Sequence, residues 1–212
     1  SAQIMSFQRH IAEAGYTLLL AATEYDAEAE FRQARALLER GIEALMLVGE
    51  RRSPAFYELM ERMNVPFINT WLYHPDAPHP CCGFAHEAAQ RLLVDHLIGL
   101  GHRRFGIITG HPETNDRVLA RLHAINLALK EVGLALDPDY IIQTEYSFVA
   151  GRNALGRLMA LDPAPTAVIA GNDVLASGAL FAATDMGIVL PAQLSVVGFG
   201  DLPIAEQLAP AL

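Results

Sequence analysis

Two acids, an amide and a guanidinium stand where they could hold a small polar molecule: Asn172, Asp173 and Asp201 in turns that follow apolar runs, and Arg121 early in an amphipathic stretch. Within PTAVIAGNDVLASGALFAATDMGIVLPAQLSVVGFGDLP, the apolar run Ala167–Ala170 stops at Gly171, Asn172 and Asp173. A small-residue amphipathic segment, 174–186, follows, and a second apolar run, 194–199, stops at Gly200 and Asp201. That order reads strand, helix, strand. A crossover of this length joins parallel strands, and open parallel sheets bind small molecules beyond the carboxyl ends of their strands, so Asp173 and Asp201 are expected to face one crevice. A carboxylate beside an amide offers acceptors and donors to a polyhydroxylated ligand. The same residues also have local uses: Asp173 as a capping or first-turn acid, stabilising by about 1 kcal/mol, and Asp201 as a turn former.

Arg121 follows an expected strand, 104–109, and the loop GHPETND, which places it in the first turns of a helix. The macrodipole disfavours a cation there. Compensation is expected from Asp173, from an oxygen-rich ligand, or from a surface pair with Asp116. Trp71, with Tyr73, lies just past a strand end, and Tyr25, Tyr146 and Phe148 fall in comparable loops. Aromatic faces there suit the apolar face of a sugar ring or a base, and equally serve packing. Other chemistries lack their residues. His74, Asp76, His79, Cys81 and Cys82 cluster without a zinc spacing, and the adjacent cysteines make no disulfide framework. There is no nucleophile elbow, phosphate-cradling loop or two-His zinc helix, and Gly198 with Gly200 is a G-x-G lacking its third glycine. The chain is therefore expected to be no enzyme, with no catalytic residue, metal or cofactor.

Strands are expected over 17–22, 44–48, 66–69, 104–109, 140–143, 167–170 and 195–198, with helices between them. Residues 31–40 carry Phe31, Ala34, Leu37 and Leu38 on one face, and 87–100 carry Ala88, Leu92, Leu93, Leu97 and Leu100. The Pro- and His-rich passage TWLYHPDAPHP, 70–80, reads as loop. Residues 16–50 and 140–173 echo each other: apolar run, Thr-Glu-Tyr turn, helix, Gly or Pro break, and a second apolar run ending in an acid. A chain of 212 residues, 52% hydrophobic and 18% charged, has material for a substantial core. No run is long and apolar enough to span a bilayer, and SAQIMSFQRHIAEAGY lacks the regions of a signal peptide, so a cytoplasmic address and no membrane partner are expected. A net charge of -9, with only short basic clusters at Arg51-Arg52 and His102-Arg103-Arg104, argues against direct binding to nucleic acid.

The passages AEAGYTLLLAATEYD, LLERGIEALMLV, HLIGLGHRRFGIITG, NDRVLARLHAINLALKEVGL, TAVIAGNDVLASGAL and GIVLPAQLSVVGFGDLPIAEQLAPAL span nearly the whole chain. In that order they resemble the effector-binding core of the lac repressor and galactose repressor (LacI/GalR) family of bacterial transcription regulators. The resemblance implies an α/β fold of two doubly wound parallel-sheet subdomains, periplasmic binding protein-like, with a ligand cleft between them. It implies subdomains over 1–100 and 101–212, divided near Gly101, and a homodimer. By the same resemblance Arg121, Asn172 and Asp173 contact the effector, Asp201 and Tyr146 lie near it, and Asn115 and Asp116 share its rim. Glu24, Glu50 and Trp71 occupy comparable turns in the first half. The sequence departs from the family pattern at Ala85, where an Asp is usual, at Gly200, where an acid is usual, and at Ala124, where a Gly is usual.

Family members begin with a helix-turn-helix domain and hinge, then a first strand, and end with a segment returning to the first subdomain. The chain is accordingly expected to be a fragment of a longer protein, with DNA contacted only through a domain outside it and the central strand of its first sheet supplied from elsewhere. The expected effector is a sugar or sugar acid; a purine is also compatible. The same fold would serve a periplasmic sugar-binding transport receptor. An upstream gene sequence separates the two, a helix-turn-helix marking the regulator and a signal peptide the receptor.

Overall fold

Alternating apolar runs and amphipathic stretches build an α/β chain in the computed structural model, which describes residues 2–212. In chain order the elements are α1 (Ala2–Glu13), α2 (Ala27–Glu39), β1 (Leu45–Val48), α3 (Pro54–Met63), β2 (Phe67–Thr70), β3 (Cys81–Cys82) and α4 (His86–Gly99). Then come β4 (Phe105–Thr109), α5 (Asp116–Glu131), β5 (Ile141–Gln143), α6 (Phe148–Met159), β6 (Ala167–Ala170), α7 (Asp173–Asp185) and β7 (Ser195–Val197). They fall into two compact units, one running to Leu45 and taking in Arg52–Pro66, the other formed by Met46–Arg51 and Phe67–Leu212.

The first unit holds α1, α2 and α3. Asp26 starts α2 by accepting the N–H groups of Glu28 and Ala29 at 2.9 and 3.1 Å. Phe31 meets Phe56 of α3 edge-on at 6.4 Å, and Arg52 lies over the Phe56 ring while donating to Glu30 at 2.9 Å. Residues 17–22, expected as a strand, form no ladder, and Leu19 and Leu20 are 52% and 67% exposed. Apolar content alone does not make a strand, because its backbone groups need a neighbour to pair with.

In the second unit β1, β2 and β3 form one sheet, with β2 and β3 parallel and Asn69 opposite Cys81. The vicinal cysteines, which make no disulfide framework, supply its edge strand. The other sheet has the order β5-β4-β6-β7, and every neighbouring pair is parallel. Its strands are apolar on both faces, as parallel strands covered by helices must be. Phe105, Ile107, Ala167 and Ile169 point to a core shared with Val94 and Leu97 of α4 and Ile125 and Leu129 of α5. Ile108, Val168 and Ala170 point the other way, toward Ala154 and Leu155 of α6 and Leu175 and Ala179 of α7. From β4 the chain passes through α5 to β5, then through α6 across to β6 on β4's far side. That reversal is the switch point at which doubly wound sheets open a crevice.

The packed face of α4 keeps Leu97 of the expected set and is otherwise shifted. Its buried residues are His86, Gln90, Val94 and Leu97, whereas Leu92 and Leu100 are 73% and 62% exposed. Polar residues hold positions that an apolar-period reading assigns to solvent.

Candidate functional site

Polar side chains fix the loops at the carboxyl ends of these strands. After β4, Asn115 caps α5 by accepting the N–H groups of Arg117 and Val118 at 3.1 and 3.3 Å. After β6, Asn172 caps α7 through Leu175 N–H at 2.9 Å. Asp173, 3% exposed, accepts Leu202 N–H at 2.6 Å and so ties α7 to the turn that follows β7. A Cβ at Gly198 would collide with the Asp173 Oδ1, which explains the glycine there. Asp201 sits in that turn, exposed and left-handed at φ 51°. Tyr146, after β5, lays its hydroxyl against Gly110, where a Cβ would come within 2.5 Å of it.

Arg121 is buried, 8% exposed, one and a half turns into α5. Its Nη1 donates to His86 Nδ1 at 3.0 Å, and its guanidinium carbon lies 4.9 Å from the Phe199 ring centroid. His86 Nε2 lies 2.6 Å from the Trp71 carbonyl oxygen. The imidazole therefore carries its proton on Nε2 and donates it to Trp71, which leaves Nδ1 as acceptor for Arg121. Only the neutral ring satisfies both bonds. Burial pushes the His86 pKa below its ordinary value; the Trp71 carbonyl opposes this, the Arg121 and Arg117 cations add to it, and Asp116 opposes it. Phe199 stacks on His86 at 5.7 Å, and Phe84 lies 4.5 Å from His86 and 5.8 Å from Phe199.

A second cluster joins α5 to the end of β1. Asp116 Oδ2 accepts the N–H groups of Glu50 and Arg51 at 2.5 and 3.1 Å, and its Oδ1 accepts from Arg117 Nη1 at 2.8 Å. Gly49, at φ 75°, leaves no room for a Cβ against Arg117 and Asp116. The Glu50 carboxylate in turn pairs with His74 Nε2 at 3.0 Å.

Of the residues expected to bind, Arg121 and Asp173 flank the single turn 198–202, Arg121 over Phe199 and Asp173 on Leu202. Trp71 reaches the group through its carbonyl, and Asp116 and Glu50 meet through backbone and carboxylate. Asn115 and Asn172 direct their side-chain oxygens to helix caps, and Phe148 turns to Phe181 of α7 at 6.1 Å. Glu24 is exposed in the first unit, at φ 50°. Asp116, one of three partners expected for Arg121, bonds Arg117, and Arg121 bonds His86. Sequence reasoning missed His86, Gln90 and Phe199. The available signal was that His86 and Gln90 stand one helical turn apart at the start of α4, directly after Ala85.

Buried donors on Arg121 beside aromatic faces can grip a molecule with several oxygens and an apolar side. No nucleophile faces a base in this group, and among the described residues no cluster of His, Cys, Asp or Glu could hold a metal ion. No described helix is long and apolar enough to cross a membrane.

A family model described as a periplasmic binding protein-like domain matches residues 94–212. The HTH-type transcriptional repressor CytR of Escherichia coli K12 is 30% identical over 199 residues, which cover 93% of this chain and 58% of CytR. The transcription regulator GntR from Chromobacterium violaceum has a crystal structure similar to this one, with a TM-score of 0.90 at 27% identity, over 99% of this chain and 76% of that one. A sugar-binding transcriptional regulator of the LacI family from Escherichia coli, crystallised with phosphate, gives 0.83 at 26% identity, over 99% and 75%. The chain thus spans less than two thirds of the curated relatives it matches, and these relatives are regulators rather than enzymes.

Proposed function

Because the chain belongs to the periplasmic binding protein-like domain family, we propose that it is the effector-sensing core of a bacterial DNA-binding transcriptional regulator of the LacI type. Its ligand is a small polyhydroxylated molecule, a sugar or sugar acid, held at the carboxyl ends of the parallel strands. The observation that carries this reading is Arg121, a buried cation whose neighbours include a neutral imidazole and an aromatic ring, beside a turn secured by Asp173. Donors kept from water at a switch point suit oxygen-rich ligands, and the aromatic faces of Phe199 and Phe84 suit the carbon face of a pyranose. The sugar-binding LacI-family relative supports the ligand class, and the repressor CytR supports the regulatory role. Arg121, Asn172, Asp173, Asp201, Tyr146 and Trp71 form the contact set, with Asn115, Asp116 and Glu50 in supporting turns. In this reading the protein works as a cytoplasmic homodimer, with subdomains divided near Gly101, and touches DNA through a domain beyond this chain.

Sensing needs no new chemistry. A ligand that takes up the Arg121 donors binds one conformation of the site better than others, and that difference shifts the population read at the DNA. Calorimetry against pentoses, hexoses, sugar acids and nucleosides tests the reading. At least one carbohydrate binds, and Arg121→Ala and Asp173→Asn, the latter keeping an acceptor for Leu202, each weaken it tenfold or more. Equal affinity in both variants removes the site, and binding confined to nucleosides removes the ligand class.

A further inference from the structure

Between α4, α5 and the ends of β4 and β6 lies a cavity of about 10 Å³, bordered by Gln90, Thr109, Arg121 and Gly171 on its polar side and by Ile107, Ile125 and other apolar residues beneath. Gln90 is 1% exposed, and its side-chain Nε2 is buried with no hydrogen-bond partner. A buried amide donor left in this state costs the full desolvation of its N–H groups, so a partner is called for. The volume admits the centre of one water-sized atom and little else. Gln90 Nε2 and the Arg121 guanidinium present only N–H donors, and Thr109 has a hydroxyl that can donate or accept. The matching occupant is a single acceptor oxygen.

Gln90 belongs to the site geometrically as well. It lies one helical turn beyond His86 on the buried face of α4, and His86 accepts from the same Arg121 that borders the cavity. Thr109 and Gly171 are the last residue of β4 and the first after β6, so the cavity opens at the switch point of the sheet. We propose that this cavity is a one-oxygen subsite: water fills it in the unliganded protein, and a hydroxyl or carboxylate oxygen of the effector replaces that water on binding. The second half of the statement rests on the sugar-binding reading above; the first does not.

Nuclear magnetic resonance on the unliganded chain separates them. Gln90 side-chain amide protons should show cross-relaxation to a long-lived water, and Gln90→Met, which keeps the volume and deletes the amide, should abolish the water signal while the backbone spectrum stays folded. A dry cavity in the native protein, or an unchanged water signal in Gln90→Met, overturns the subsite. With a carbohydrate from the panel bound at saturation, the water signal should vanish, and Gln90→Met should bind that carbohydrate at least tenfold more weakly. A water that persists beside bound carbohydrate overturns the effector role. If no carbohydrate binds at all, the proposed function fails while the water experiment still decides the subsite.

Discussion

Arg121 donates to a nitrogen base, His86, and that bond depends on pH. The His86 Nδ1 that receives Arg121 is an acceptor only while the ring is neutral. Protonation would replace that acceptor with a second positive charge 3.0 Å from the guanidinium. Burial, with Arg121 and Arg117 adding to it, holds the folded pKa of His86 below the ordinary 6.5, so the unfolded chain takes the proton first. His102 shares the direction through burial alone, its ring held between Thr166 at 3.0 Å and Ser195 at 2.9 Å. A histidine with a depressed folded pKa contributes stability that is present above 6.5 and lost as pH falls toward its folded value, because there the unfolded state binds more protons. The urea midpoint is therefore expected to fall between about pH 7.5 and about pH 5.5, and His86→Gln or His102→Gln to flatten that fall. A midpoint that holds or rises on acidification, or a slope that neither variant alters, contradicts the assignment of neutral rings.

At the scale of elements, α6 and α7 approach so closely that glycines mark their contact. A Cβ on Gly178 would meet the Phe148 carbonyl oxygen, and one on Gly151 the Leu175 carbonyl oxygen, whereas Gly156 of the same α6 has open space. Backbone cannot move aside as a flexible side chain does. Gly178→Ala is expected to destabilise by about 1–3 kcal/mol despite its better helix propensity, and Gly156→Ala to stabilise by about 0.5–1 kcal/mol. Urea titration of the pair checks this; a Gly178→Ala as stable as Gly156→Ala would show that the helices pack further apart. The sheet these helices cover is legible in the sequence, because β4 and β6 are buried on both faces and read as continuous apolar runs ended by Gly110 and Gly171. The candidate site is legible only where a charge stands in, or early in the helix after, the loop that follows a strand, as at Asp173 and Arg121. What faces those charges is hidden for a physical reason: His86 and Gln90 occupy buried positions of α4 with polar side chains, so the apolar period of residues 87–100 finds Leu97 but not these two. The β3 edge strand is hidden as well, being two cysteines with no period to show. The echo between 16–50 and 140–173 survives as α2-β1 and α6-β6, but its first run pairs only in the second copy, where β4 lies beside β5.

For the whole molecule, the question is whether this chain could touch DNA by itself, and its charge and its contacts give the same answer. The net charge is -9, and the cations of the two short basic clusters bond within the chain even where, as at Arg51, Arg103 and Arg104, they are exposed. Arg51 donates to the Pro112 carbonyl at 3.2 Å and Arg52 to Glu30 at 2.9 Å. Arg103 donates to the Ile98 carbonyl and Arg104 to the Ala164 carbonyl, both at 3.1 Å, while His102 bridges Thr166 and Ser195. Affinity for duplex DNA comes largely from cations that displace condensed counterions at successive phosphates, and clusters engaged internally within an acidic chain provide no such row. Nonspecific binding by dedicated DNA-binding proteins reaches Kd values of about 10⁻⁴–10⁻⁶ M at physiological salt, and this chain is expected to bind duplex DNA more weakly than that range. Electrophoretic mobility measured over a salt series checks it: duplex DNA should run unshifted with the chain in large excess, with or without carbohydrate. A shift that weakens steeply as salt rises would mean that a basic face assembles on this chain, for instance across two copies, and that DNA reading does not depend on a separate domain.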